Sequence, residues 1–309
     1  MADIFGYGEK DRTNVVYLLI FLVSIFSIFF FVQNDLKDLL ISGGVNSSST
    51  WVPLILIAIF RTLCAALAFH TLIWWMLLDK KGGFMNAYFR KEKRVLPIHI
   101  YHLERFVTFS SWNLIIFCLT FISSATLSWF EFFELNSPEL FHIISSVLLS
   151  TSLGMATVTA TVITYVIVPL AIKKGSEIDH LFEPHQMVMH NWAVIFLIVD
   201  VIFTVPLLSW KFAIFGLVIG ILYVVFAYMF ALWGKGYYVY SFIDPRLKYA
   251  PFIMLILALM IGLFYIFVWV GIKIIEWNNF IGSMIFIGWI YSIVLFKPKS
   301  IVLFKPKIT

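Results

Sequence analysis

Two side chains offer the most direct chemistry in this sequence. Thr108 stands in the run Arg105-Phe106-Val107-Thr108-Phe109, and His190 in Met187-Val188-Met189-His190-Asn191. A hydroxyl becomes an effective nucleophile when a base removes its proton, and an imidazole that titrates near neutrality can do so from within hydrogen-bond reach. Together the two could run acyl transfer. On residue type alone, the favoured reading is a buried threonine and an interfacial histidine serving structure. Two further ionisable groups, Arg61 and Asp200, sit in otherwise apolar runs, where a charge needs a partner.

These residues need elements to position them, and composition decides which. The chain has 309 residues, 61% apolar and 13% charged, with mean hydropathy +0.96; an ordinary soluble domain is about 25% charged. The apolar runs exceed the roughly 18 residues needed for a helix to cross a bilayer, whereas barrel strands would alternate over about ten. The sequence therefore predicts an all-α, polytopic transmembrane bundle. Its spans are expected at 14–33, 53–78, 106–129, 143–171, 188–208, 211–233, 250–272 and 279–296, eight in all. The last begins on polar Asn278–Asn279 and runs into a direct repeat, SIVLFKPK at 292–299 and again at 300–307.

Charge gives the bundle a direction. Eighteen of the 22 Lys and Arg residues fall on one side of this eight-span arrangement, seven of them in the 79–105 connection. Basic connections face the cytoplasm, so both termini are expected there. The sequon Asn46-Ser47-Ser48 then lies outside, where glycosylation would require it. The net charge of +5 reflects this topology and gives no reason to expect nucleic acid. The basic, aromatic 79–105 stretch could lie on an anionic leaflet, though an orientation signal alone explains it. Membrane lipids are the expected partners, in the endoplasmic reticulum or plasma membrane.

Topology also sets depth. Thr108 falls near the cytoplasmic start of the third span and His190 near that of the fifth, so the two come level. Arg61 lies about 25 Å from the cytoplasmic end and Asp200 about 18 Å, which an extended arginine can bridge. They are expected as an ion pair, with a water-lined cavity as the alternative. His70, nine residues after Arg61, points to the opposite side of the second span. Ser146, Ser150 and Gly154 recur at four-residue spacing, which lets helix backbones approach closely. Cys64 and Cys118 lie within spans and read as small packing residues.

Other chemistries fit less well. His180, His185 and His190 recur every five residues, 140° apart on an α-helix, and His99 and His102 lie in a neighbouring connection. They lack the HxxxH clustering of membrane metal enzymes. His70 and His190 differ in depth by about 9 Å, too much to share a haem. The G-x-S-x-G, H-E-x-x-H and P-loop patterns are absent. No metal or cofactor is expected. A non-catalytic scaffold or regulatory subunit remains the main alternative to an enzyme.

The Thr108 and His190 segments carry a family resemblance. Arg105-Phe106-Val107-Thr108-Phe109 resembles the basic-aromatic-aliphatic-Thr-Phe motif of the androgen-inducible family of multi-pass threonine hydrolases. Met189-His190 is similar to the end of its Asn-His-x-Met-His-Thr segment, and Gly236-Tyr237-Tyr238-Val239-Tyr240 to its Gly-x-Trp-Val-Tyr-Pro stretch. Asp200 falls where the family tends to carry an acid. Members include hydrolases of fatty acid esters of hydroxy fatty acids. The resemblance covers about residues 105–275 and implies Thr108 as nucleophile and His190 as base. The chain departs from the family pattern at Met187, where the family has its first histidine, at Asn191 in place of Thr, and at Ser241 in place of Pro.

The sequence thus divides into a two-helix extension with its basic connection (1–105), a five-span hydrolase core (106–275) and a C-terminal helix with a basic tail (276–309). The expected activity is intramembrane lipid ester hydrolysis. Asn191, Tyr238 and Tyr240 are candidate oxyanion donors, and Glu104 and Glu183 are candidates to orient His190.

Overall fold

The computed structural model describes residues 10–45, 52–91, 95–173 and 178–296. The sequon at 46–48 and most of the terminal repeat lie outside them. Among the described residues, seven helices are long and apolar enough to cross a membrane. These are α1 (Thr13–Gln33), α3 (Leu54–Leu77), α4 (Phe109–Phe132), α5 (Glu139–Lys173), α6 (Pro184–Thr204), α7 (Trp210–Trp233) and α8 (Ala250–Trp277). The chain is a multi-pass, all-α membrane bundle. The expected eighth span is a shorter helix, α9 (Asn279–Ile293, 15 residues), about 22 Å long at 1.5 Å per residue against a hydrocarbon core of about 30 Å. The Asn278 side chain caps its start, accepting from Ile281 N–H at 3.0 Å, and the backbone turns extended at Val294.

Two elements were not foreseen in the sequence. The first is α2 (Lys37–Val45), which folds back onto α5 at the end of the bundle opposite the basic connections. Leu36 and Leu40 enter the core, and Ser146 Oγ donates to the Leu40 carbonyl at 2.6 Å. The second is a small antiparallel sheet in order β2-β1-β3 at the basic end. It comprises β1 (Gly83–Phe89), β2 (Val95–Ile100) and β3 (Tyr237–Tyr238), with Gly83 opposite Ile100 and Tyr88 opposite both Val95 and Tyr238. Pro97 is tolerated because β2 is an edge strand. A buried ion pair, Arg246 with Asp244, clamps the sheet to the chain before α8, since Arg246 also donates to the Arg90 and Phe89 carbonyls.

Small residues set the helix spacing. A Cβ on Gly154 would stand 2.7 Å from the Ile261 carbonyl oxygen, and one on Gly216 2.8 Å from the Gly262 nitrogen. Backbones of α5, α7 and α8 therefore touch, as the small-residue spacing predicts. One apolar core runs through the bundle and takes residues from each of the three sequence segments, from Leu36 and Cys64 through Leu153 and Leu197 to Ile293.

Candidate functional site at the basic end of the bundle

The chain enters α4 through a 3-10 turn over His102–Val107. Thr108 stops that turn and caps the helix: its Oγ1 accepts from Ser111 N–H at 3.2 Å. Ser111 Oγ donates to the Arg105 carbonyl at 2.7 Å. Having spent its proton there, it accepts from the Thr108 hydroxyl, also 2.7 Å away. Tyr240 completes the helix end, its hydroxyl oxygen accepting from Phe109 N–H at 3.2 Å and lying against the hydroxyls of Thr108 and Ser110. Burial raises the Tyr240 hydroxyl above its ordinary titration range, so the ring stays neutral.

Arg105 is buried beside this turn, where sequence reasoning gave it no role. The last stretch of α3 is wound as a π turn, and its carbonyls at Trp75 and Met76 receive the guanidinium at 2.8 and 3.5 Å. A cation at a helix C-terminus also meets the negative end of the helix dipole. Asp79 closes the pair at 3.1 Å. The Lys81 N–H, and behind it Arg105, hold the Asp79 carboxyl below its ordinary value. On its other side, Arg105 donates to His185 Nε2 at 2.9 Å. Guanidinium has only donors, so His185 is neutral with its proton on Nδ1, which faces Glu183 at 3.6 Å.

His190 lies deeper. Val188–Trp192 is another π turn, wound more widely than the α-helix that the 140° separation assumes. Asn113 Nδ2 donates to the Met189 carbonyl at 2.9 Å. Both ring nitrogens of His190 are buried and have no hydrogen-bond partner among the described residues. Thr108 and His190 are therefore not hydrogen-bonded to each other in this structure.

Two cavities are lined by neighbouring residues at the start of α4. One, about 230 Å³, opens at the basic end and is lined by Lys81, Gly83, Arg105, Thr108, Ser111 and His185, among others. The second, about 120 Å³, is an apolar cleft within the bundle, lined by Phe109, Ser110, Val158, Tyr223, Tyr240 and neighbours. Successive residues of one helical turn thus face a polar space and an apolar one.

Comparison with protein-family models, curated proteins and solved structures found no match. The site's own geometry therefore carries the reading of function.

The other expected site residues divide. Arg61 and Asp200 form a two-bond ion pair at 2.7 and 3.0 Å, and Ser128 Oγ accepts a further Arg61 bond at 2.7 Å. Both are buried, so the pair joins α3, α4 and α6. Asn191 instead donates to the Leu295 carbonyl at 2.7 Å, tying down the segment after α9. Tyr238 packs against Tyr228 in the core beneath the sheet, where burial pushes its hydroxyl up to about 12. Neither residue lines either cavity. Glu104 accepts from Tyr237 at 2.7 Å and Glu183 faces His185, so neither carboxylate is bonded to His190. Among the described residues no three His, Cys, Asp or Glu side chains group to hold a metal ion.

Proposed function

We propose that this protein is a membrane-embedded lipid ester hydrolase with Thr108 as nucleophile and His190 as base. The observation that supports it is the alternation at the start of α4, where Thr108 and Ser111 line the polar cavity and Phe109 and Ser110 the apolar cleft. An amphiphile with its acyl chain in the apolar cleft and its polar part in the basic cavity would lay an ester across the first turn of α4. The apolar cleft lies within the spanning bundle, so the acyl chain would be delivered from the bilayer. Water would reach the ester through the cavity that opens at the basic end.

In the proposed reaction, Thr108 Oγ1 attacks the ester carbonyl carbon while its proton passes to a nitrogen of neutral His190. The alcohol leaves with that proton, and water delivered to the same base hydrolyses the acyl-threonine. The resting hydroxyl is engaged with Ser111, so the reactive state requires Thr108 to release its cap, a cost of about 1 kcal/mol. His190 must come within hydrogen-bond reach as it does so; having no partner to give up, it loses no bond in moving. Tyr240 is the neutral hydroxyl beside Thr108 and the best-placed candidate to donate to the developing oxyanion.

The test is labelling of the detergent-purified protein by a lipophilic fluorophosphonate, with release of fatty acid from ester substrates measured in parallel. Labelling of the native protein that vanishes in Thr108→Ala supports the assignment; labelling or turnover that survives in Thr108→Ala overturns it.

A second reading is favoured by the Thr108 cap itself. A hydroxyl fully committed to Ser111 suits a protein that binds an amphiphile without cleaving it, as a scaffold or regulatory subunit would. Saturable lipid binding with no labelling and no turnover in the native protein would select that reading.

A further inference from the structure

Arg105 is almost wholly buried, yet its hydrogen bonds are incomplete. The Nη1 protons go to Trp75, Met76 and Asp79, and one Nη2 proton goes to His185. The Nε proton and the second Nη2 proton have no acceptor among the described residues. Both belong to a side chain that lines the polar cavity. These N–H groups are not sealed in the core but open to the cavity, where a charged donor held rigidly by its other bonds is ready for a ligand oxygen.

The wall in front of Nε is kept open by a glycine. A Cβ on Gly83 would stand 3.5 Å from Arg105 Nε and 3.6 Å from Ile100 Cγ1, in ordinary contact. The site could therefore accommodate a methyl group there but has none. Around the same space, Lys81 comes from the turn after α3, His99 from β2, and His180 and Gln186 from either side of the start of α6. One carboxylate, Glu183, is also in the lining, facing His185.

We propose that this cavity is a phosphate site, in which the open N–H groups of Arg105, assisted by Lys81, bind the phosphate of a membrane phospholipid or a free phosphate. Guanidinium matches the oxygen spacing of phosphate and forms its stronger, charge-assisted hydrogen bonds. Arg105 and Lys81 approach this space from separate segments of the chain, with polar side chains of other elements in the same wall, which suits a tetrahedral group better than a flat carboxylate. The cavity also opens at the basic end of the bundle, the end that basic connections would set against cytoplasmic headgroups. With the apolar cleft on the far side of Thr108, the ligand class becomes a phosphate-bearing lipid. As a statement about substrate this rests on the hydrolase reading; as a statement about binding it does not.

The experiment measures binding to the full chain in neutral detergent with probes that cannot be cleaved: a short-chain diether phosphatidylglycerol, the matching diether glycerol without phosphate, inorganic phosphate, and oleate. The diether phospholipid should bind at least tenfold more tightly than the diether glycerol. Its affinity should fall along Gly83, Gly83→Ala and Gly83→Val, by tenfold or more at valine, with the Tm of Gly83→Ala unchanged. Lys81→Ala, at an exposed position, should weaken binding and flatten its salt dependence, and keeps the test open should Gly83→Val fold poorly. Competition by inorganic phosphate with the same Gly83 dependence supports the site and shows that free phosphate suffices. Equal binding of the diether glycerol, oleate binding as tightly as the phospholipid, or affinity indifferent to both Gly83 and Lys81 overturns it. Ester-linked phospholipid that is bound but never cleaved counts against the hydrolase reading alone. Cleavage of neutral esters with no phosphate binding counts against the phosphate site alone.

Discussion

Arg105 donates to Nε2 of His185 across 2.9 Å, and this bond separates the roles of the two histidines near the first turn of α4. The lone pair a base would use on His185 is already taken. Removing the ring leaves a further buried guanidinium N–H unpaired, a loss of about 1–3 kcal/mol. His185→Ala should therefore lower Tm clearly, and His185→Gln, whose amide oxygen can accept from Arg105, should restore part of it. If His190 is the base, purified His185→Gln keeps its turnover; turnover abolished in a well-folded His185→Gln would move the base to His185.

His190 makes the opposite prediction for stability. Its two nitrogens are buried without partners, so the native ring already carries a desolvation cost that an apolar side chain of similar size would avoid. His190→Leu should melt no lower than the native protein, and up to a few degrees higher, while ester hydrolysis is lost. A Tm drop like that of a large-to-small core change would show that the ring makes stabilising bonds in solution.

The Arg61–Asp200 pair should behave as a buried ion pair. Arg61→Met alone leaves Asp200 charged and buried, a loss of about 3–5 kcal/mol, and should lower expression and Tm sharply. The double change Arg61→Met with Asp200→Leu should recover most of that loss. Two additive losses in the double variant would mean that each charge has partners beyond the other.

Asp79 gives a pH dependence with a defined sign. Its folded-state pKa lies below its ordinary value of 3.8, chiefly through the Lys81 N–H. A depressed carboxyl contributes stability that is present above the unfolded pKa and lost as pH falls through the folded one. The native protein should therefore lose Tm more steeply below about pH 4 than Asp79→Asn does, and the two profiles should run parallel near neutrality. Identical acid limbs would remove Asp79 from the account.

Those residues differ in how far the sequence disclosed them. The apolar runs showed the bundle, because a bilayer demands long apolar helices. Arg61 and Asp200 were recognisable as partners because so few charges share that environment. Arg105 was hidden, since in the sequence it is one of seven basic residues in a connection and only the π turn at the end of α3 exposes the carbonyls that bury it. The π turn at Val188–Trp192 likewise changes the winding around His190, and π turns have no clear sequence signature. The sheet was less hidden: Gly83–Phe89 and Val95–Ile100 are strand-like runs either side of a basic stretch whose charge also fits an orientation signal. Asn191 and Tyr238 had the right chemistry at the right depth, and only packing shows that Leu295 and the sheet core claim them.

Thr108 holds two roles that one substitution can separate. As a cap it needs an acceptor for Ser111 N–H, and as a nucleophile it needs a hydroxyl. Asparagine caps at least as well as threonine but cannot form the acyl-enzyme. Thr108→Asn should therefore keep native Tm and lose hydrolysis, whereas Thr108→Ala should lose hydrolysis and also about 0.5–2 kcal/mol of stability. Thr108→Ser keeps both functions and should keep both measurements. If the hydroxyl is only a cap, stability will follow the same order while turnover or lipid binding does not change between threonine and asparagine. Chain stability and fatty-acid release, measured on the same three variants, thus distinguish a nucleophile from a helix cap at the same atom.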